Sequence, residues 1–201
     1  MKNNSVDIKT MITIIRSIKQ YTHFSSEKVD PYFDIVMKRH RFTALFHAKE
    51  TRRDGNCFYR AIAYNIFANE EDFFTLKLCC IFIVVEYENY FTQKLRDHFY
   101  KITYENFVVK HCRKNEWADE LMTNAAAILL NRRIISFSCD EKTLIPNSLQ
   151  FVHGDKNIAP ILIGFFRSHF VSILQEGNCE LPSNGEKIFI VCDDGLKIDL
   201  Y

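Results

Sequence analysis

The chain is poor in the two residues that punctuate and loosen a polypeptide, with 6 glycines and 4 prolines in 201 residues, and it has no Ser-rich or Gly-rich stretch. That composition leaves little room for a flexible linker, and no internal repeat or low-complexity segment appears. A long apolar run is missing too. Leu78 to Val85 is the longest such stretch, and near the N-terminus the run is only Met11 to Ile15; both are too short to span a bilayer or to read as a secretory signal. Charge of one sign is absent: 26 Lys and Arg against 25 Asp and Glu give a net charge of +1, without the basic surplus of a nucleic-acid binder. The 7 cysteines are odd in number and include no C-x-x-C pair. Neither a zinc site nor a disulfide framework is expected, and a reducing compartment fits best. A soluble intracellular protein is expected, without membrane or nucleic-acid partners.

What is present is apolar bulk, with 47% hydrophobic and 14% aromatic residues, enough for one substantial core and one domain. Its most informative segment is Thr51-Arg52-Arg53-Asp54-Gly55-Asn56-Cys57-Phe58-Tyr59-Arg60-Ala61, which sets one cysteine at a turn opening into an apolar helix. The positive end of a helix favours a thiolate, the form of cysteine that attacks a carbonyl. Gly55 offers the turn a backbone conformation closed to other residues, so that N–H groups between Asp54 and Cys57 converge as an oxyanion requires. Asp54-Gly55-Asn56 alone would read equally as an ordinary turn. Cys79 and Cys80, inside an apolar helix, read as core filling.

Asp54 to Ala61 resembles the nucleophile motif of the ovarian-tumour (OTU) family of cysteine proteases, and with Thr51-Arg52-Arg53 it is especially similar to the otubains. Two further segments agree in order and spacing. Asn115-Glu116-Trp117-Ala118 leads into an Ala-rich helix from about Asp119 to Leu130 and a strand over 133–137, similar to the family's Trp-containing helix and the strand after it. Ile161 to Leu174 reads as two strands joined by a tight polar connection carrying His169-Phe170. In the family a late strand begins with His and an aromatic, and that His is the general base. The resemblance therefore implies Cys57 as nucleophile and His169 as base. His23, His40, His47, His98, His111 and His153 lack such a context and read as structural.

The chain departs from the family's pattern where the base is oriented. Position 171 shares a strand face with His169, and many members carry Asp or Asn there to accept the ring N–H. Here it is Val171, while Arg167, on the same face, is a donor. Asp54 is the first candidate for the missing acceptor and so the third catalytic residue. The other reading of Asp54 is that it only holds the turn.

An amphipathic helix is expected along Ile8 to Ile18, the nucleophile helix over 57–67, a helix through Phe73 to Tyr87 with an acidic start at Glu70-Glu71-Asp72, and another over 103–112. A terminal hairpin is expected from strands over 187–192 and 196–200 flanking Asp193-Asp194-Gly195. The resemblance implies an α/β (α+β) sandwich of the OTU, papain-like type, a small sheet carrying the base and helices carrying the nucleophile. In outline, 1–44 would be an N-terminal helical extension packed on the core, 45–175 the OTU-like catalytic core and 176–201 a hairpin of the same domain.

The activity implied is hydrolysis of the isopeptide or peptide bond after the C-terminal glycine of ubiquitin or a ubiquitin-like modifier, by a monomer in the cytoplasm or also the nucleus, with no metal or organic cofactor. Trp117 would either wall the channel for the diglycine tail or anchor its helix in the core. The rival from another class is an OTU-fold binding module without useful turnover, to which Val171 lends weight. A third is a cysteine hydrolase of this fold acting on some other amide or thioester.

Overall fold

The computed structural model describes residues 7–18, 23–24, 28–39, 46–97, 100–143, 150–152, 155, 158–176, 189–191 and 197–199. Pro146, Asn147 and the Asp193-Asp194-Gly195 turn lie outside them. In chain order the elements are α1 (Ile8–Ser17), β1 (His23–Phe24), α2 (Pro31–Arg39), β2 (Phe46–Lys49), α3 (Cys57–Phe67), a 3₁₀ turn (Glu70–Asp72), α4 (Phe73–Glu86), α5 (Glu88–Asp97), α6 (Tyr104–His111), α7 (Glu120–Leu130), β3 (Ile134–Ser138), β4 (Gln150–Val152), β5 (Ile161–Phe166), β6 (His169–Glu176), β7 (Phe189–Val191) and β8 (Lys197–Asp199). The last two pair antiparallel, Ile190 opposite Ile198.

The main sheet runs β1-β6-β5-β3-β4, with β2 also paired to β6. β5 and β6 are antiparallel, β3 and β5 parallel. Strand alternation sends Ile134, Ile161 and Ile163 into the core made by α1, α3, α4 and α7. It sends Ile135, Phe137, Leu162, Val171 and Ile173 into a second cluster covered by Phe33, Val36 and Met37 of α2. Helices thus cover both faces, which is why β5 reads as a continuous apolar run rather than an alternating one.

Helix ends follow local chemistry. Asp7 caps α1 by accepting from the N–H groups of Lys9 and Thr10 at 2.9 and 3.1 Å. Arg16 donates to the Leu129 and Ile128 carbonyls at 2.8 and 3.1 Å, so α1 is tied to the carbonyl end of α7, where a cation is favoured. Asp119 caps α7 through the Met122 N–H at 3.1 Å and holds the buried His111 at 3.0 Å. The apolar pattern expected to continue through Tyr87 ends there: Tyr87 is the C-cap of α4, and the more polar α5 follows.

Helix α2 lies within the segment 1–44 expected to be a helical extension, but no helix was placed at these residues from the sequence. Its signal is Asp30-Pro31: Asp30 accepts from the N–H groups of Tyr32 and Phe33 at 3.0 and 2.8 Å, and proline occupies the first helical position, where a missing N–H costs nothing. The helix docks through Phe33, whose ring lies over Gly164; any side chain at 164 would overlap that ring. Gly164 is the register partner of Val171, so this contact brings the start of α2 beside the start of β6.

Candidate active site

Cys57 is the first residue of α3 and only 3% exposed. The loop before it is held at several points. Asp54 accepts from the Asn56 N–H at 2.8 Å and from Arg60 Nε at 3.0 Å, while the Asp54 carbonyl accepts from the Cys57 N–H at 3.2 Å. Arg60 is itself buried over the Phe73 ring, 3.9 Å from its centroid, and reaches Glu71 at 3.2 Å. Gly55 packs on the main chain of Asn115, where any Cβ would overlap the carbonyl. Close approach, and not a left-handed conformation of its own, is therefore why position 55 is glycine. The left-handed residue is Asn115, with φ of 60°.

Asn115 also accepts from the Asn56 amide at 2.8 Å, and the buried Lys77 donates to Asn56 Oδ1 at 3.1 Å and to the Arg113 carbonyl at 2.9 Å. The nucleophile turn and the segment before α7 are thereby one rigid unit. The convergent N–H groups expected from the sequence are partly spent inside the turn: those of Asp54, Asn56 and Cys57 donate to Arg52 O, Asp54 Oδ1 and Asp54 O.

His169 opens β6 opposite Phe166, across a two-residue turn in which Arg167 and Ser168 both have positive φ, 49° and 58°. Both residues in the left-handed region give the hairpin turn that matches strand twist, at a cost to residues other than glycine. The next residue, Phe170, donates its N–H to Cys57 Sγ at 3.5 Å, so the start of β6 is seated on the first turn of α3. The Ser172 hydroxyl donates to the Ala61 carbonyl at 2.8 Å and the Phe58 and Phe170 rings meet edge to face, 5.3 Å apart, which locks this docking.

The electrostatics give a neutral resting pair. Burial pushes the Cys57 thiol up from its ordinary value, reinforced by the Asp54 charge and opposed by the N–H groups of Phe170 and Phe58. Burial, then Arg53, pushes His169 down, opposed by Asp30, the Thr51 carbonyl and Asp54. An unprotonated imidazole at neutral pH is the form that takes a proton.

The structure thus sets the strand that His169 opens against Cys57, through the Phe170 N–H. The His169 ring bonds the Thr51 carbonyl, whereas the Asp54 carboxylate is engaged by Asn56 and Arg60, which hold its pKa below the ordinary value against a desolvation that would raise it. The sequence reading missed Thr51, whose contribution is main-chain and leaves no mark on side-chain identity. It missed Asp30, Lys77 and Arg60 as well.

Trp117 is 47% exposed and so is not a core anchor. It lines a groove of about 790 Å³ that also takes in Ser136, Ser138, Phe165, Arg167 and Phe170; Phe170 is the residue whose N–H meets Cys57 Sγ, while Cys57 and His169 do not line the groove. Cys79 and Cys80 are buried in α4, where burial pushes the Cys79 thiol up to about 11, far from a nucleophile's range. No group of three or more acidic, His or Cys side chains suited to a metal occurs among the described residues. No helix among them is long and apolar enough to cross a membrane.

A helix that opens with Cys57 and a strand that opens with His169 meet on a sheet covered by helices on both faces. The chain has the fold of OTU domains. It is similar to the OTU domain of OTUD1, at 16% identity and a TM-score of 0.60 over 70% of this chain and 93% of that one. The viral OTU domain protease from Taggert virus matches at 16% identity and a TM-score of 0.58, over 68% of this chain and 83% of that one. The Hazara virus OTU, solved bound to ubiquitin, matches at 18% identity and a TM-score of 0.53, over 81% and 98%. No family model matches the sequence, and no curated protein matches it.

Proposed function

We propose that the protein is a deubiquitinating cysteine protease, hydrolysing isopeptide or peptide bonds after the C-terminal glycine of ubiquitin or a ubiquitin-like modifier. The observation that carries this reading is the Phe170 N–H on Cys57 Sγ, which sets the base-bearing strand on the nucleophile helix of an OTU fold. The Hazara virus OTU with ubiquitin bound supports the choice of modifier.

In this mechanism neutral His169 takes the Cys57 proton as sulfur attacks the carbonyl carbon, forming the C–S bond and an oxyanion that main-chain N–H groups around the nucleophile, other than those spent within the turn, would hold. The intermediate collapses, the C–N bond breaks, and His169 returns the proton to the departing lysine amine. Water, deprotonated by His169, then cleaves the thioester and frees the modifier's carboxylate and the thiol. Asp54 shapes the loop through Arg60 and adds negative charge near His169, while the Thr51 carbonyl orients the imidazole. The Trp117 groove receives substrate. Thiol chemistry of this kind suits the reducing cytoplasm, and one chain holds every group it needs.

The test is incubation with ubiquitin carrying a cysteine-reactive group at its C-terminus, read by intact mass beside Cys57→Ala. A single adduct lost in the variant is the expected result. No adduct from folded protein that still binds ubiquitin would favour the second reading, a binding module, toward which Val171 and the raised thiol pKa point. Absence of both adduct and binding would reject ubiquitin as the modifier.

A further inference from the structure

Two hollows flank the turn before His169. On one side is the Trp117 groove; on the other lies a cavity of about 290 Å³ lined by Asp30, Tyr32, Arg53, Arg167, His169 and Val171. Phe166 and Arg167 line both, so the Arg167-Ser168 turn is the ridge between them. The chemistry of the reaction assigns the two sides. The acyl carbon ends on Cys57 Sγ, and Phe170, whose N–H meets that sulfur, lines the groove. The departing amine takes its proton from His169, which lines the cavity and not the groove. The leaving side of the substrate therefore faces the cavity.

The two hollows differ in charge. Glu120, Asp140 and Glu141 line the groove, whereas the cavity holds two cations, Arg53 and Arg167, and one anion, Asp30. The Asp30 carboxylate is 3% exposed and fully committed. One oxygen accepts from the N–H groups of Tyr32 and Phe33 at 3.0 and 2.8 Å, and the other from Arg53 at 3.3 Å. That pair leaves one positive charge over. Arg167 is exposed and forms no ion pair among the described residues; its guanidinium lies 5.2 Å from the Phe166 ring centroid and 6.0 Å from that of Tyr32.

Arg53, half exposed, lies 5.5 Å from the same Tyr32 ring. A guanidinium held against an aromatic face keeps its N–H edge for a carboxylate. Tyr32 thus gathers both cations at one mouth, where an incoming carboxylate meets N–H donors that Asp30 does not occupy. We propose that this cavity is the subsite for the leaving side of the substrate, and that Arg167, with Arg53, makes it prefer an acidic residue next to the modified lysine. This deepens the protease reading, and rests on it for which side leaves.

The subsite is placed by the segments that place the catalytic pair. Arg53 stands four residues before Cys57 and Arg167 two before His169. The remaining wall, Asp30 and Tyr32, is set by the docking of Phe33 on Gly164. An acid on the acyl side would instead meet the carboxylates of the groove, so the preference is directional.

The experiment compares ubiquitin joined through an isopeptide bond to the lysine of short peptides in which the flanking residues are Glu, Gln or Lys. The parent is expected to cleave the Glu peptide with kcat/KM about threefold above Gln, and the Lys peptide slowest. The ratios should fall toward one as salt rises from about 0.02 to about 0.5 M. Arg167→Gln is expected to level the three, and Arg167→Glu to put the Lys peptide first. Ratios are read within one enzyme, so a general loss of activity cancels. Equal rates or the opposite order in the parent, an order indifferent to salt, or an unmoved order in folded Arg167→Glu overturns the proposal; the salt series decides if that variant fails to fold. Should no conjugate be cleaved, the protease reading falls, and the site is read from the arginine N–H signals of ¹⁵N-labelled protein with the free peptides. Shifts with the Glu peptide and not the Lys peptide keep an acid-binding site, and their absence removes it.

Discussion

Lys77 Nζ donates to Asn56 Oδ1 at 3.1 Å, putting a buried ammonium one residue from the nucleophile. Its other bonds, to the carbonyls of Arg113 and Glu116 at 2.9 and 3.4 Å, make it the pin between α4, the cysteine turn and the approach to α7. Burial pushes its pKa down, partly offset by Glu116. Lys77→Met, which keeps the stem and removes the donors, leaves three acceptors to find new partners. We expect a loss of about 2 kcal/mol in denaturant unfolding and a fall in turnover larger than that in ubiquitin binding. Unchanged turnover would show that the turn keeps its shape without the pin.

Asp54 is separable from His169 by experiment. Because Arg60 is buried and takes its main ion pair from Asp54, Asp54→Asn is expected to cost about 2 kcal/mol, the low side for a broken buried pair since Asp54 keeps some solvent contact. Urea unfolding measures this. Arg60→Met together with Asp54→Asn removes both charges, and is expected to be less destabilised than the sum of the two single variants. If Asp54→Asn loses turnover while its stability is intact, the acid acts on the chemistry and not on the loop.

Ser168 has φ of 58° in the turn before the base, and its side chain is exposed. Ser168→Gly removes the left-handed penalty, and we expect a gain of about 1 kcal/mol, or about 3 °C in melting temperature. A lower melting temperature would mean that the serine side chain holds the turn in a way that outweighs its backbone cost.

Stability should have a ceiling at each end of the pH scale. With the His169 pKa held below 6.5, the unfolded chain binds a proton that the folded one refuses just below that pH, so stability falls as pH drops from 6.5 toward the folded value. With the Cys57 thiol raised above 9.0, the folded chain keeps a proton that the unfolded one releases, so stability falls as pH climbs past 9.0. The melting temperature of the parent should fall relative to that of Cys57→Ala as pH climbs past 9. The acid limb of kcat/KM should likewise lie below 6.5, because protonated His169 accepts no proton. An acid limb above 6.5 would mean that the negative charge near His169 outweighs its burial and raises the imidazole pKa instead.

How far the sequence reached can be judged residue by residue. Local signals are strong where one short segment both forms the element and carries the chemistry. Asp54 to Ala61 encodes a turn, a helix start and the cysteine together; the boundary at Cys57 and the end at Phe67 fall where the pattern puts them. The paired strands around His169 are legible for the same reason, since a polar break between apolar runs is local. The helix from Asp119 to Leu130 and the strand after it also follow from pattern alone. The short strands β1, β2 and β4 were not legible: two to four residues carry no periodicity, and they exist because β6 or β3 offers an edge.

The sequence by itself determined the nucleophile turn, the strand that bears the histidine, and the balance of charge and apolar bulk that makes one helix-covered sheet. Each is written in contiguous residues, where backbone preference and side-chain period act over a few positions. Tertiary structure alone decided what surrounds the imidazole. Asp30 lies 139 positions before His169, and the two line one cavity because Phe33 docks on the bare face of Gly164. Asp54, close in sequence to Cys57, turns away because Arg60 one helical turn on competes for its carboxylate. Which charged groups stand around the imidazole is settled by packing and by rival partners, and neither is visible in the order of residues.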